Sequence, residues 1–395
     1  MGDGSARMPR PPAVKPARPD PDPASVPHGR ARWPEARHFA ALDLGTNNCR
    51  LLIARPQGSG FTVVDAFSRI VRLGEGLASS GRLSDAAIER TIAALKICAE
   101  KLKRRHVALA RSVATEACRQ AENGPEFIRR VYQETGIVLD IITAEEEARL
   151  AVLGCHALLE PGDGPALVFD IGGGSTELVL VDNSGEQPRI LDWHSARWGV
   201  VSLTEARGVT GDQDEPTRTA AYQRMRESVA EAFAPFVARL PAISGTPRLL
   251  GTSGTVTTLA SVHLELSSYD RSAVDGLIVP TAAMRAVSRR IAELDLAGRS
   301  AVPCIGAERA DLVVAGCAIL ETIMDIWPAE RLGIADRGIR EGILRQYFFI
   351  NGGYVDGVAL SMLREDFDQV HGTPEEWETR IAAQRKILTG SSGSN

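Results

Sequence analysis

The sequence predicts an α/β protein in which two similar domains face each other across a cleft. The chain has 395 residues, of which 44% are hydrophobic and 24% charged, enough to bury a large core in two or three domains. A pattern of strand, Asp-x-Gly turn and strand occurs twice, in "FAALDLGTNNCRLLIARP" and in "ALVFDIGGGSTELVLVD". A third strand, in "PRLLGTSGTVTTLA", leads through a glycine turn into a helix. These elements indicate two related halves whose turns meet at the cleft.

The two ends of the chain differ in composition from the rest. Residues 1–37 contain nine of the 22 prolines and almost no apolar periodicity, so we expect a disordered arm. This arm lacks the apolar run of a secretory signal. Residues 350–395 are polar and predict a frayed tail. The domains are therefore expected at 38–160 and 161–349.

Composition also limits the partners and the compartment. A net charge of −5 argues against a general nucleic-acid binder, and no apolar run approaches the roughly 18 residues of a membrane span. Six scattered cysteines form no C-x-x-C pair, so we expect them to be reduced and mostly buried. A cytoplasmic protein is the resulting expectation.

In the first half, helices and strands alternate after the first hairpin. Ser84 is a candidate N-cap for a helix with apolar residues at 88, 92, 95 and 102. "VALARSVATEACR" predicts a strand running into a loop and helix, and "PEFIRRVYQETG" predicts a helix ended by Gly136. "IVLDIITAEEEARLAVLGCHALL" predicts a strand, a turn and an amphipathic helix.

The second half is more helical after its hairpin and its third strand. "TAAMRAVSRRIAELD" and "GAERADLVVAGCAILETIMDIW" predict helices, and "RLGIADRGIREGIL" looks like a strand.

The repeated turns are suited to holding phosphate. Backbone amides in a glycine turn form an anion site without a charged side chain, and three consecutive glycines, residues 172–174, would let phosphate oxygens reach those amides. Asp43 and Asp170 occupy equivalent places but are anionic, so a bridging Mg²⁺ or a water is implied. A single Asp-Gly turn is most often only a hairpin turn, whereas two copies and a third glycine turn favour a site.

At this level of detail the chain resembles the exopolyphosphatase and guanosine pentaphosphate phosphatase (Ppx/GppA) family. "DLGTNNCRLLIA" and "DIGGGSTEL" resemble its two phosphate loops, "ATEACRQAEN" its arginine-bearing loop and "IITAEEEARL" its catalytic glutamate segment. The resemblance spans residues 39 to about 346 and implies two ribonuclease-H-like domains of the actin, sugar kinase and chaperone ATPase type. Within the family, the chain resembles the short, two-domain form.

The resemblance implies a role for each motif. Glu147 would be the general base that activates water, and Arg119 would contact the scissile phosphate. Asp43, Asp170 and Glu177 would hold Mg²⁺ or orient water. The phosphate-binding donors would be Gly45, Thr46, Asn47, Gly172, Gly173, Gly174 and Ser175.

Simpler interpretations remain open for some of these residues. "EEEAR" also fits the acidic first turn of a solvated helix, and Arg119 also fits a surface salt bridge. The basic clusters at 101–105, 129–130 and 289–290 could bind a polyanion outside the cleft or be solvated helix faces.

The implied activity is release of terminal orthophosphate from linear polyphosphate. The alternative substrate is guanosine pentaphosphate. Two other kinds of protein also remain open, an ATP-dependent small-molecule kinase of the same superfamily and a non-enzymatic binding protein. We expect polyphosphate to be preferred, because no motif for reading a guanine base is evident. No specific nucleic acid or membrane partner is expected, and a homodimer remains open.

Overall fold

The computed structural model describes residues 37–57, 60–185, 188–208, 213–241 and 246–348. The predicted disordered arm, apart from residue 37, and the predicted tail lie outside the described residues. The strands are β1 (His38–Leu44), β2 (Asn48–Gln57), β3 (Gly60–Ile70), β4 (Val107–Ala114), β5 (Asp140–Ile141), β6 (Ala166–Ile171), β7 (Thr176–Asp182), β8 (Arg189–Ala196), β9 (Arg248–Thr252), β10 (Ile278–Pro280) and β11 (Arg331–Ala335). The α-helices are α1 (Leu77–Ser80), α2 (Asp85–Arg104), α3 (Glu116–Gln120), α4 (Gly124–Thr135), α5 (Ala144–Cys155), α6 (Val200–Arg207), α7 (Glu215–Val237), α8 (Ser253–His263), α9 (Arg271–Val274), α10 (Thr281–Glu293), α11 (Leu296–Ala301), α12 (Val313–Ile326) and α13 (Ile339–Phe348).

The strands form two sheets with the same plan. The first has the order β3-β2-β1-β4-β5 and the second, read from its opposite edge, β8-β7-β6-β9-β11-β10. In each sheet an antiparallel three-strand meander comes first, and a parallel strand, β4 or β9, then pairs with the first strand of the meander. Both predicted hairpins and the predicted duplication are confirmed.

Local signals in the first half are confirmed as well. The Ser84 side chain caps α2, and the apolar residues predicted for that helix are buried. Gly136, in the left-handed conformation with φ 72°, ends α4. Among the described residues all six cysteines are free thiols, five of them buried.

Three boundaries differ from the sequence prediction. Only Asp140–Ile141 of the strand expected before α5 pairs with a neighbour. Residues 306–312 form turns, so α12 begins at Val313. The prediction of a continuous strand-like segment at 331–344 is wrong after residue 335, because the chain enters α13 at Ile339.

Helix α5 lies between the two sheets. Leu150 packs in a cluster with first-sheet residues, whereas Val152 packs in a cluster with second-sheet residues. Helix α13 crosses back to the first sheet and pairs closely with α5: a Cβ on Gly342 would lie 2.0 Å from the carbonyl oxygen of Leu150, and one on Gly154 would lie 2.0 Å from that of Gly338. The body of α5 is therefore fixed at the junction of the two halves.

No helix among the described residues is long and apolar enough to cross a membrane.

Candidate active site

A cavity opens where the two halves meet, at the ends of β1, β6 and β9. The predicted residues that line it are Asp43, Gly45, Thr46, Asn47, Glu147, Asp170, Gly172, Gly173, Gly174 and Ser175. Two predicted site residues, Arg119 and Glu177, do not line it.

The two predicted phosphate loops have the same backbone turn. The amide of Gly45 donates to the carbonyl of Asn48 (2.9 Å), and the amide of Gly172 donates to that of Ser175 (3.0 Å). Each turn closes a hairpin whose first strand carries the aspartate. Because these two hydrogen bonds match, residues 45–48 correspond to residues 172–175, and Gly173 is therefore equivalent in position to Thr46.

Close contact between the loops explains the glycines at 173 and 174. A Cβ on Gly173 would lie 3.0 Å from the amide nitrogen of Asn47, and one on Gly174 would lie 2.6 Å from Thr46 Oγ1. Side chains here would push the halves apart, so these glycines let one loop pack on the other in addition to exposing amides.

Helix α8 directs its N-terminus into the cavity. Ser253, Gly254 and Thr255 line it, and the residue before the helix, Thr252, makes no side-chain cap. Backbone N–H groups at such an end attract anions. Ser253 has φ 77°, which is rare for a residue with a side chain, and its hydroxyl is hydrogen-bonded to Asp170. The strained backbone thus ties the third predicted turn to the second phosphate loop.

Glu147 is a buried carboxylate at the cavity. It lies in the first turn of α5, which the Thr143 side chain caps, and its exposed fraction is 7%. Burial, with smaller contributions from Asp170 and Asp43, raises the pKa of Glu147 to about 7, although Arg119 acts in the opposite direction. A carboxylate with a pKa near neutrality is suited to accept a proton from water.

Arg119 is held behind this carboxylate. Its Nη2 donates to Glu147 Oε2 (2.7 Å) and Glu116 Oε2 (2.7 Å), Nε donates to the same Glu116 oxygen (3.0 Å), and Nη1 donates to the Ile142 carbonyl (2.8 Å). The prediction that Arg119 contacts phosphate is untested, but its nitrogens orient Glu147 in this arrangement.

Several cavity residues were not predicted as site residues. Arg50 and Arg309 are the cavity-lining arginines among the described residues, and Glu116 adds a further carboxylate. A signal existed for Arg50, because hairpin pairing places it opposite Asp43. Nothing local marks Arg309, which reaches the cavity because residues 306–312 turn before α12.

Asp43 and Asp170 have oxygens suited to a cation. Each has a buried Oδ1 with no hydrogen-bond partner among the described residues. Burial raises the pKa of Asp43 to about 6, with Asp170 acting in the same direction. Two carboxylates plus substrate oxygens and waters fit the binding habits of Mg²⁺. Among the described residues, no group of three or more His, Cys, Asp or Glu side chains is placed to hold a metal ion, so the two aspartates would supply only part of its ligands.

Glu177 does not line the cavity but pairs with Asp170, which does. It pairs with Asp170 across the second hairpin, and the Ser195 hydroxyl donates to its Oε1 (2.9 Å). Burial raises the pKa of Glu177 well above its usual range, and Glu147 and Asp170 add to this. Its effect on a bound cation would pass through Asp170.

The duplicated sheets and the cavity between them define an α/β protein with the two-domain fold of the actin, sugar kinase and chaperone ATPase type. A protein from Cytophaga hutchinsonii, described as an exopolyphosphatase, has the same fold, with a TM-score of 0.71 over 80% of this chain and 100% of that one, at 23% identity.

The chain belongs to the Ppx/GppA phosphatase family, whose model matches residues 52–348. It is 32% identical to exopolyphosphatase 2 of Mycobacterium tuberculosis over 333 residues, which cover 82% of this chain and 98% of that protein. The crystal structure of the Aquifex aeolicus Ppx/GppA family member has a TM-score of 0.63 and 30% identity, covering 78% of this chain and 96% of that one. The predicted family is thereby confirmed.

Proposed function

We propose that this protein is an exopolyphosphatase, which releases terminal orthophosphate from linear polyphosphate by attack of water. The observation that carries the proposal is the position of Glu147, a buried base at a cavity lined by two phosphate-type loops and the start of a helix. The names of the relatives agree with this activity.

The terminal phosphate would lie between the loops. Amides of the glycine turns and of α8 would donate to its oxygens, and Arg50 and Arg309 would offset its charge. These groups are fixed before substrate arrives, so little reorganisation is needed as charge shifts in the transition state.

Glu147 would accept a proton as water attacks phosphorus. The new P–O bond forms from the water oxygen while the bond to the bridging oxygen breaks, and the bridging oxygen leaves on the shortened chain. The proton on Glu147 then passes to solvent or to a released phosphate. Arg119 keeps the accepting carboxylate oriented, since it donates to Glu147 Oε2.

Mg²⁺ is the proposed cofactor, held by Asp43 and Asp170 through their unpartnered oxygens. When bound it would polarise phosphate oxygens and neutralise charge. It would also relieve the repulsion between two aspartates that lie in one buried site.

Guanosine pentaphosphate is the second candidate substrate, and one observation favours it. Tyr269 is 45% exposed and lies within electrostatic reach of both Arg50 and Arg309. An exposed aromatic ring near the phosphate site could stack on a base. If a base stacks there, Tyr269→Ala will lower kcat/KM for the pentaphosphate and leave that for polyphosphate unchanged.

Phosphate release with Mg²⁺ tests the function. Purified protein is incubated with long-chain polyphosphate, guanosine pentaphosphate or ATP, without a phosphoryl acceptor, and Glu147→Gln serves as the blank. Release from polyphosphate that the blank lacks supports the proposal. Release from none of the three, or acceptor-dependent consumption of ATP, would contradict it.

A further inference from the structure

The basic clusters singled out in the sequence are partly neutralised in the structure. Lys101 Nζ donates to Asp65 Oδ1 (2.7 Å) and Arg105 Nε to Asp65 Oδ2 (2.9 Å). Arg130 forms ion pairs with Glu89 and Glu134. Charge that is already paired on the protein adds little attraction for a polyanion. A polyphosphate chain that extends beyond the cavity would need other cations.

Two arginines of the second half meet at the corner between α10 and α11. Arg218 Nη2 donates to the carbonyl of Glu293 (3.0 Å), and Arg299 Nε donates to the carbonyl of Asp295 (3.2 Å). These carbonyls are two residues apart in the chain, so the guanidinium groups are neighbours. Both side chains are only partly exposed.

Within the part of the chain that the structure describes, neither arginine forms a salt bridge. The hydrogen bonds of both go to backbone carbonyls, including that of Gln213, and no carboxylate oxygen of the described residues lies within 4.0 Å of either guanidinium. Arg218 Nε is buried and unpartnered among the described residues. Burial lowers the pKa of Arg299 and Arg218 lowers it further, against weaker opposing effects of Cys317, Asp295 and Asp311. Two like charges in a partly desolvated place are the arrangement that an anion stabilises.

Arg299 lies at the start of a segment that ends at the cavity. Residues 299–313 form a run of hydrogen-bonded turns from α11 to α12, and Arg309, ten residues after Arg299, lines the cavity. Arg299 is within electrostatic reach of Asp311 in the same run, and Asp311 accepts from Arg72 Nη1 (2.9 Å) of the first half. A polyphosphate chain that leaves the cavity past Arg309 would therefore approach Arg299.

We propose that Arg218 and Arg299 form an outlying phosphate subsite, which binds internal phosphates of a long polyphosphate chain while the terminal phosphate occupies the cavity. The subsite rests on the proposed exopolyphosphatase function and goes beyond it. It accounts for how a long chain can stay bound after each terminal phosphate is removed, although the reaction itself involves only the chain end.

Chain-length dependence tests the subsite. The variants are Arg218→Gln and Arg299→Gln, and the matched control is Arg55→Gln, which removes the same charge from an exposed position on β2 of the first half. The measured quantity is kcat/KM for long-chain polyphosphate divided by kcat/KM for tripolyphosphate. We expect each variant to lower this ratio about tenfold, as for one charge-assisted hydrogen bond, and to flatten its salt dependence, while the control keeps both. An unchanged ratio, or an equal loss on both substrates, overturns the subsite.

A direct measurement of polyphosphate binding tests the subsite independently of hydrolysis. Glu147→Gln protein, with and without the two arginine substitutions, is titrated with fluorescent long-chain polyphosphate, and melting curves establish that each variant is folded. Binding that is about tenfold weaker when the arginines are replaced supports the subsite. This holds even if wild-type protein hydrolyses no polyphosphate, because absence of hydrolysis would contradict only the proposed function. Equal binding in folded variants refutes the subsite even if hydrolysis is robust.

Discussion

The two phosphate loops share one backbone turn but carry different chemistry. In the first loop the residue opposite Asp43 is Arg50, which lines the cavity, whereas in the second the residue opposite Asp170 is Glu177, which does not. The first loop carries the side chains of Thr46 and Asn47 at the positions where the second loop has Gly173 and Gly174. Because the glycines have no Cβ, the second loop can pack closely against the first. The two equivalent turns thus share a backbone scaffold, and the residues at their equivalent positions give the first hairpin a cationic side chain and the second an amide-rich surface.

Loss of Glu147, which lies between the halves, is expected to have the largest effect. Glu147→Gln should lower kcat by about 10²- to 10⁴-fold, the range for a general base, because the amide cannot accept a proton from water. The control is Glu145→Gln, an exposed carboxylate of the same helix turn. Steady-state phosphate release measures both. Comparable losses in the two variants, or a larger loss in Glu146→Gln, would mean that the base is assigned to the wrong residue.

Exchanging residues between the equivalent turns tests the asymmetry directly. Gly173→Thr should reduce kcat/KM by about 100-fold or more, because its Cβ would press on Asn47 and displace the loops. Thr46→Gly, the reverse change at the equivalent position, should lose less than about tenfold, since it only removes atoms. Melting temperatures show whether both variants are folded. If folded Gly173→Thr protein is as active as Thr46→Gly protein, close packing of the loops is not required.

Replacing Arg50 tests whether the cationic side chain of the first hairpin contributes to substrate binding. Arg50→Gln should lower kcat/KM by about 10- to 100-fold, corresponding to about 1.5–3 kcal/mol for hydrogen bonds to a charged group. Arg55→Gln, which changes an exposed arginine on the same strand, is the control and should change little. Equal kcat/KM values for the two variants would exclude Arg50 from substrate binding.

The pH dependence of activity depends on how Arg119 acts on the base. Because Glu147 must be ionised, kcat/KM should fall as pH decreases. The midpoint should lie at or below about pH 7, because the pKa of Glu147 is about 7 and a cation bound beside Asp43 and Asp170 would lower it. Arg119→Gln removes a group that lowers this pKa, so the midpoint should move to higher pH. A midpoint that stays in place or moves down would show that Arg119 does not act through Glu147.

The smallest effect is expected on thermal stability with Mg²⁺. Binding to the folded state alone should raise the melting temperature of wild-type protein without substrate, by about 2–4 °C per kcal/mol of binding free energy. Asp43→Asn and Asp170→Asn should each abolish most of this rise, whereas Glu177→Gln should retain part of it, because Glu177 does not reach the cavity. Full loss in Glu177→Gln would make Glu177 a direct ligand.

Local patterns in the sequence were sufficient for most of the elements and for the family. Alternating apolar residues around Asp43 and Asp170 specified both hairpins, and the Ser84 cap and Gly136 marked helix ends, because hydrogen bonds within a few residues decide such features. The glycine turns and the glutamate segment likewise indicated where phosphate chemistry would occur, and the family match agrees with them.

Contacts between distant segments decided the rest. The sequence placed a strand-like segment where α13 forms, because that helix is stabilised by packing on α5 and the first sheet. It could not show that Arg119 would be held by Glu116 and Glu147, nor that Arg309 would reach the cavity. Each of these depends on side chains brought together from separate parts of the chain. A linear pattern records which groups a protein has, but only the packed chain fixes which charges are neutralised and which remain free to bind substrate.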